Sequence, residues 1–267
     1  MFKTRLLSGA VLLALLIFVI VAGGNVLLAF TGIISLIGQY ELYHAVKMEK
    51  SLPAAVSYLT GITYVLFLFW DIQDWLMVLM VLFFLILMTV YVISYPKYVI
   101  EQMAVCFLGF FYVNVMLSYL YQVRMGTEGI LAVWLIIISA WGSDTCAYCT
   151  GMLIGKHKLP SPLSPKKTIE GCVGGVVGAA LLGFIYGMVF QDSITEISNP
   201  QFVFAIVGAA GSIIAQVGDL CASAIKRNHE IKDYGKLIPG HGGILDRFDS
   251  IIFTAPAVYV LLLFMTL

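Results

Sequence analysis

The sequence predicts an all-α, polytopic integral membrane protein, and three observations carry that prediction. Of its 267 residues, 61% are hydrophobic and only 11% charged, where soluble domains have roughly 45–50% apolar and about 25% charged residues. Mean hydropathy is +0.98. Apolar runs of about 20 residues, the length that crosses the hydrocarbon core as a helix, recur from end to end. This composition excludes a water-soluble enzyme, a disordered chain and a disulfide scaffold. Fifteen Lys and Arg balance fifteen Asp and Glu, so no bulk basic field exists to hold nucleic acid.

Marking the runs in order predicts about nine transmembrane helices, at 6–22, 24–40, 53–70, 75–95, 99–121, 129–153, 171–190, 201–222 and 250–267. The first two meet at a tight Gly23-Gly24-Asn25 turn. Lys3 and Arg5 resemble the start of a signal peptide, but the following run is long and lacks a small-residue cleavage site, so it reads as a span. No internal repeat marks the two-fold architecture of many transporters.

Basic residues set the orientation. With the N-terminus in the cytoplasm, fourteen of the fifteen Lys and Arg face inward and only Arg124 faces out, as the positive-inside rule requires. The outer loops hold Asp71, Asp74, Glu128, Asp192 and Glu196 instead. Two cytoplasmic segments, 154–170 and 223–249, are unusually polar and are expected to carry the chemistry.

Charges inside apolar runs are costly and point to function by default. Asp144 lies about 15 residues into the sixth span, roughly 22 Å down and in the cytoplasmic half at 1.5 Å per residue. Asp219 lies near the inner end of the eighth span, and Asp246 and Asp249 stand just before the ninth. Three segments are thus expected to bring carboxylates to one depth, and no basic residue lies within either span to neutralise Asp144 or Asp219. The alternative is a set of structural charges or helix caps. Gln216, Asp219, Ser223 and Lys226 fall at helical spacing on one face, as do Trp141, Asp144 and Tyr148. Hard oxygen ligands of this kind suit Mg²⁺, which takes one or two carboxylates plus substrate phosphates.

The loops around these acids are suited to phosphate. Ser164-Pro165-Lys166-Lys167-Thr168 offers two ammonium groups and two hydroxyls. Gly240-His241-Gly242-Gly243 is flexible enough to point backbone N–H groups at an anion. Lys226, Arg227, Lys232 and Arg247 add positive charge. Lys156 and Lys158 read more simply as juxtamembrane cations attracted to anionic lipid.

Together these residues carry a resemblance. Ser223 to Arg227, Lys232-Asp233 and Pro239-Gly-His241-Gly-Gly243-Ile-Leu-Asp246-Arg247-Phe-Asp249 resemble the signature of the phosphatidate cytidylyltransferases, the CDP-diacylglycerol synthases. Trp141-Gly-Ser-Asp144, Gly155-Lys156-His157, Ser164 to Thr168 with Glu170-Gly171, and Gln216-Val-Gly218-Asp219 follow the same order. The match is strong over 141–250, whereas residues 1–130 match only as a series of spans. The chain therefore reads as N-terminal transmembrane helices at 1–130 and a catalytic transmembrane region at 131–267. Ala222 departs from the pattern, since many members carry an acid before the serine.

The resemblance implies that CTP and phosphatidate give CDP-diacylglycerol and diphosphate, with Mg²⁺ required, at the plasma (inner) membrane. It implies Asp219 and Asp246 as metal ligands and Asp144 as a third ligand or water orienter. A second metal ion, divalent or monovalent, completes a two-metal clamp. Lys167, Lys226, Arg227 and Arg247 would neutralise the triphosphate and lipid headgroup, and Ser223 and Thr168 would donate to phosphate oxygens or help hold metal. Lys166, His241, Gly242 and Gly243 complete the substrate-binding set, and Asp249 would lock Arg247. The expected partners are the two substrates and the lipid bilayer, with no nucleic acid; a homodimer is left open. Two other readings compete: a CTP-dependent lipid kinase and a cation-coupled transporter using the intramembrane acids. The Walker-like Gly151 to His157 stretch is one residue short and follows a helix. Cys146 and Cys149 have redox spacing but sit in a span, where packing explains them better.

Overall fold

Residues with long apolar runs and no internal water partner must satisfy their backbone within helices, and the chain does so. The computed structural model describes residues 2–161 and 163–266; side chains are described from Leu6 to Met265, so the Lys3 and Arg5 side chains lie outside the described residues. Among the described residues, the long helices are α1 (Phe2–Ala22), α2 (Gly24–Ala45), α3 (Leu52–Phe69), α4 (Leu76–Ile93), α5 (Ile100–Met125), α6 (Gly129–Ile154), α7 (Ile169–Val189), α8 (Pro200–Asn228) and α9 (Leu245–Thr266). Eight are long and apolar enough to cross a membrane, and within α1 a shorter apolar helix covers Leu6–Ala22. Eight of the nine expected spans overlap these eight helices, and the first, 6–22, falls on the shorter apolar one. Local signals set several ends. Gly23 and Gly24 take positive φ of 61° and 48° between α1 and α2, the left-handed region that glycine enters without steric cost. Ser51 caps α3 by accepting from the Ala54 N–H at 3.2 Å, with Pro53 in its first turn.

Three features depart from simple apolar-run reading. The helix α8 continues to Asn228, well beyond the apolar run, so Ser223, Lys226 and Arg227 are helical. The ninth helix begins at Leu245, placing Asp246 and Arg247 in its first turn. And α5 and α6 each contain a π-helical turn, Phe110–Val115 and Ile138–Gly142. Such turns are often found at functional sites, and the second ends one residue before Ser143-Asp144.

The chain divides into two compact units, one of Met1–Ser118 with His229–Arg247 and one of Tyr119–Asn228 with Phe248–Leu267. In the first, Tyr43 Oη donates to the Cys106 carbonyl at 2.6 Å and lies 2.6 Å from Ser57 Oγ, which also reaches that carbonyl. In the second, small residues dominate. Gly171, Gly175, Ala179, Gly183 and Gly187 recur every four residues along α7, and all are buried.

Candidate active site

In the second unit the chain between α6 and α7 folds back as a short hairpin. Leu159 N–H donates to the Lys167 carbonyl, Ile169 N–H to the His157 carbonyl and Lys167 N–H to the Ser164 carbonyl. Thr168 then caps α7 through its Oγ1, which accepts from the Gly171 N–H at 3.1 Å. That hydroxyl is enclosed by Gly151, Gly155 and Gly171, where any Cβ would approach it to about 3.0 Å or less. Close approach to Thr168 is thus what the Walker-like glycines provide. Lys166, one residue before Lys167, is exposed.

This hairpin delivers the Lys167 ammonium to Asp219 on α8. Nζ lies 2.5 Å from Asp219 Oδ2, with the two side chains 27% and 30% exposed. Burial alone would push the Lys167 ammonium down. The Asp219 carboxylate, helped by Asp144, more than reverses this and holds it above the usual lysine range. Asp219 is therefore not the uncompensated acid that a span-by-span reading suggests; its partner comes from the loop. Asp144 is exposed in the first turn after the π-helical segment, and beside it buried Ser143 Oγ meets Ser212 Oγ of α8 at 2.6 Å. A cavity of about 410 Å³ collects Asp144, Tyr148, Lys166, Lys167, Thr168 and Gln216. The half-buried Gln216, Asp219, Ser223 and Lys226 follow one face of α8, while Arg227 is exposed. The departing Ala222 is fully buried.

The first unit carries the other expected group. Asp246 is only 5% exposed, and its Oδ2 accepts from the Tyr234 N–H at 2.8 Å and the Gly243 N–H at 3.0 Å. Gly240 and Gly242 take φ of 79° and 91°, and the Ile238 N–H donates to the Gly242 carbonyl at 2.9 Å. His241 Nδ1 lies 2.9 Å from Ser8 Oγ of α1. Within the glycine-rich turn the Gly243 N–H thus points at an anion, but that anion is the protein's own Asp246 carboxylate. Beside it a cavity of about 640 Å³ is lined by Lys232, Lys236, His241, Gly242 and Arg247. The Nε of Arg247 is buried without a hydrogen-bond partner among the described residues, and a buried guanidinium N–H with no acceptor suits an incoming phosphate. In the second unit Asp249 Oδ1 accepts the Ser250 N–H at 2.8 Å.

Lys167 thus brings Asp144 and Asp219 into one electrostatic cluster, and Asp246 stands in the first unit. Among the described residues no three His, Cys, Asp or Glu side chains gather as a metal-holding group. All five cysteines are free thiols.

The profile of the Cytidylyltransferase family matches residues 3–265. The chain belongs to the cytidylyltransferase family. It is 35% identical over 268 residues to a phosphatidate cytidylyltransferase of Staphylococcus epidermidis, covering 98% of this chain and 99% of the relative. A phosphatidate cytidylyltransferase of Staphylococcus saprophyticus is 34% identical at the same coverages, and one of Bacillus subtilis is 31% identical over 97% of both chains. The similarity of this cytidylyltransferase-family chain thus extends through α1–α5, well outside the motif-rich segment.

One group near Asp246 is absent from the motif reading. Glu41, near the end of α2, is 5% exposed; its Oε1 accepts from the Ile244 N–H at 3.0 Å and its Oε2 from the Leu245 N–H at 2.8 Å. Its sequence signal is an acid just past an apolar run, which reads as juxtamembrane when no partner can be seen.

Proposed function

We propose that this chain is a phosphatidate cytidylyltransferase, converting CTP and phosphatidate to CDP-diacylglycerol and diphosphate. The observation that carries this reading is near-full-length similarity, at 31–35% identity, to proteins of that name. A phosphate oxygen of phosphatidate forms a bond to the α-phosphorus of CTP. The bond from that phosphorus to the α–β bridging oxygen breaks, and diphosphate leaves with its electron pair. The nucleophile is already anionic, so positioning and charge neutralisation dominate over general-base chemistry.

In this reading Lys167, Lys226, Arg227 and Arg247 neutralise the triphosphate and the lipid headgroup, with Lys166 at the entrance and Ser223 donating a hydroxyl. The orphaned Arg247 Nε supports its part. Thr168, His241, Gly242 and Gly243 complete the substrate-binding set, the Thr168 hydroxyl and the Gly243 N–H also holding their own loops. Asp219 and Asp246 would hold Mg²⁺, with Asp144 as third ligand or water orienter and a second ion divalent or monovalent. The hard carboxylate oxygens fit that ion, and Asp219 already draws a cation, the Lys167 ammonium, to 2.5 Å. The two backbone N–H groups on Asp246 Oδ2 fix it as outer partners fix ligating carboxylates. Bound Mg²⁺ would offset the triphosphate charge and polarise the reacting phosphoryl oxygens.

Purified protein with Mg²⁺, phosphatidate and α-labelled CTP should place label in lipid, whereas γ-labelled CTP should not. Label in lipid from the γ position would make the protein a kinase. No lipid label from either, with folded protein and several lipids, would leave the activity unsupported.

The polar loops are proposed to face the cytoplasm at the plasma membrane. Single cysteines at Lys158 and Lys232, in a background without the native cysteines, should react only with reagent supplied from the cytoplasm. One at Ser193 should react only from outside. Opposite labelling of 158 and 232 would refute a common cytoplasmic face.

A further inference from the structure

A buried carboxylate on a membrane helix is costly unless it is hydrogen-bonded. Glu41 meets that condition by taking the Ile244 N–H, just before α9, and the Leu245 N–H at its first residue. Those N–H groups have no partner within their own helix, and a negative charge there also complements the positive end of the helix. The fit is close. A Cβ on either Gly235 or Gly243 would collide with the Glu41 carboxylate, so two glycines leave room for it within the 235–243 loop. Leu245 is 1% exposed and packs toward Gly38, one turn earlier on α2. The next residues, Asp246 and Arg247, are the proposed metal ligand and phosphate cation.

Two carboxylates thus divide the backbone donors of one short segment. Asp246 takes Tyr234 and Gly243, and Glu41 takes Ile244 and Leu245. We infer that Glu41 is a positioning residue for cytidylyl transfer: it anchors the start of α9 to α2 and so fixes Asp246 and Arg247, without touching substrate. The inference rests on the proposed roles of Asp246 and Arg247. It also accounts for a glycine at 243 by the space Glu41 needs, in addition to any demand of a phosphate.

The full-length protein in lipid nanodiscs provides the test, through Glu41→Ala, Glu41→Gln and Gly243→Ala. In Glu41→Ala the 243–245 amides should exchange faster with deuterium while those of α7 remain as in the native protein. Its kcat should fall about 10²-fold, the scale of roughly 1 Å of misplacement, with KM for phosphatidate little changed. Glu41→Gln keeps a carbonyl oxygen for one of the two N–H groups and should recover at least about a tenth of native turnover. Gly243→Ala should reproduce the local exchange change with Glu41 intact. Unchanged exchange at 243–245 in Glu41→Ala would overturn the inference. So would a uniform rise in exchange through α7 and α9 that accounts for the lost turnover, because the role would then be merely structural. Asp246→Asn is assayed alongside. Native turnover in that variant would strike the reading of Asp246, and the exchange data on Glu41→Ala would still report separately whether Glu41 holds the turn.

Discussion

Turnover should fall about 10³-fold in Asp219→Asn, equivalent to roughly 4 kcal/mol of transition-state stabilisation. Asparagine keeps the shape and one oxygen but removes the charge that would hold Mg²⁺ against the triphosphate. The same change releases Lys167, whose ammonium lies 2.5 Å from Oδ2. An acid standing alone in a span would be expected to leave stability unchanged or improved on removal. The ion pair changes that expectation. Both partners are partly solvated, so its loss should cost about 1 kcal/mol or less, and the melting temperature should move little. Lys167, no longer drawn to the carboxylate, should lose the field that raises its affinity for a proton. The measurement is turnover across a Mg²⁺ titration, with thermal melting of the same samples. Near-native turnover at every Mg²⁺ concentration, or a loss that follows unfolding, would remove Asp219 from the metal site.

The helices were legible because each apolar run exceeds the bilayer and has one outcome in lipid. Their ends were less so. Helix α8 carries Ser223, Lys226 and Arg227 past the apolar run because nothing in the chain stops it before Asn228, and hydropathy senses lipid rather than helix. The π-helical turn before Asp144 leaves no mark in composition, since it adds one residue to a turn without changing which residues are apolar. Within the site, Asp144, Asp219 and the Lys167 loop were legible individually. Their pairing was not, because it depends on the hairpin that returns Lys167 to α8. Within Gly240 to Gly243 the Gly243 N–H is directed at negative charge, the Asp246 carboxylate of the same motif. The acceptor of the next two N–H groups, Ile244 and Leu245, was hidden, because Glu41 lies some 200 positions earlier in the chain. Motif reading finds groups close in sequence or familiar in pattern, and Glu41 is neither.

Gly208→Val should strongly destabilise the second unit, although residue 208 belongs to no motif. A Cβ at 208 would lie 2.5 Å from the Ala179 carbonyl oxygen, and one at Gly187 would lie 2.6 Å from the Gln201 Cα. Gly183 is likewise closed off by the Phe204 carbonyl. These obstacles are backbone atoms of the facing helix, so the contact is relieved only by moving α7 and α8 apart. Overpacking of this kind costs about 1–3 kcal/mol, and sometimes more. Helices in lipid have little hydrophobic drive to hold together once small residues no longer permit close approach. Separation would also reach the chemistry, because Lys167 adjoins Thr168, the cap of α7, and Asp219 lies on α8. Gly178→Ala is the contrast. There an added Cβ would collide with Cys146 Cβ and lie 2.5 Å from its Sγ, and only the Sγ can rotate away, so α6 and α7 must also shift. The melting temperature should fall, while the α7–α8 contact that Gly208 provides stays intact. Thermal melting and CTP turnover of both variants decide the matter. If Gly208→Val melts with the native protein, the close approach of α7 and α8 is not what holds Lys167 to Asp219.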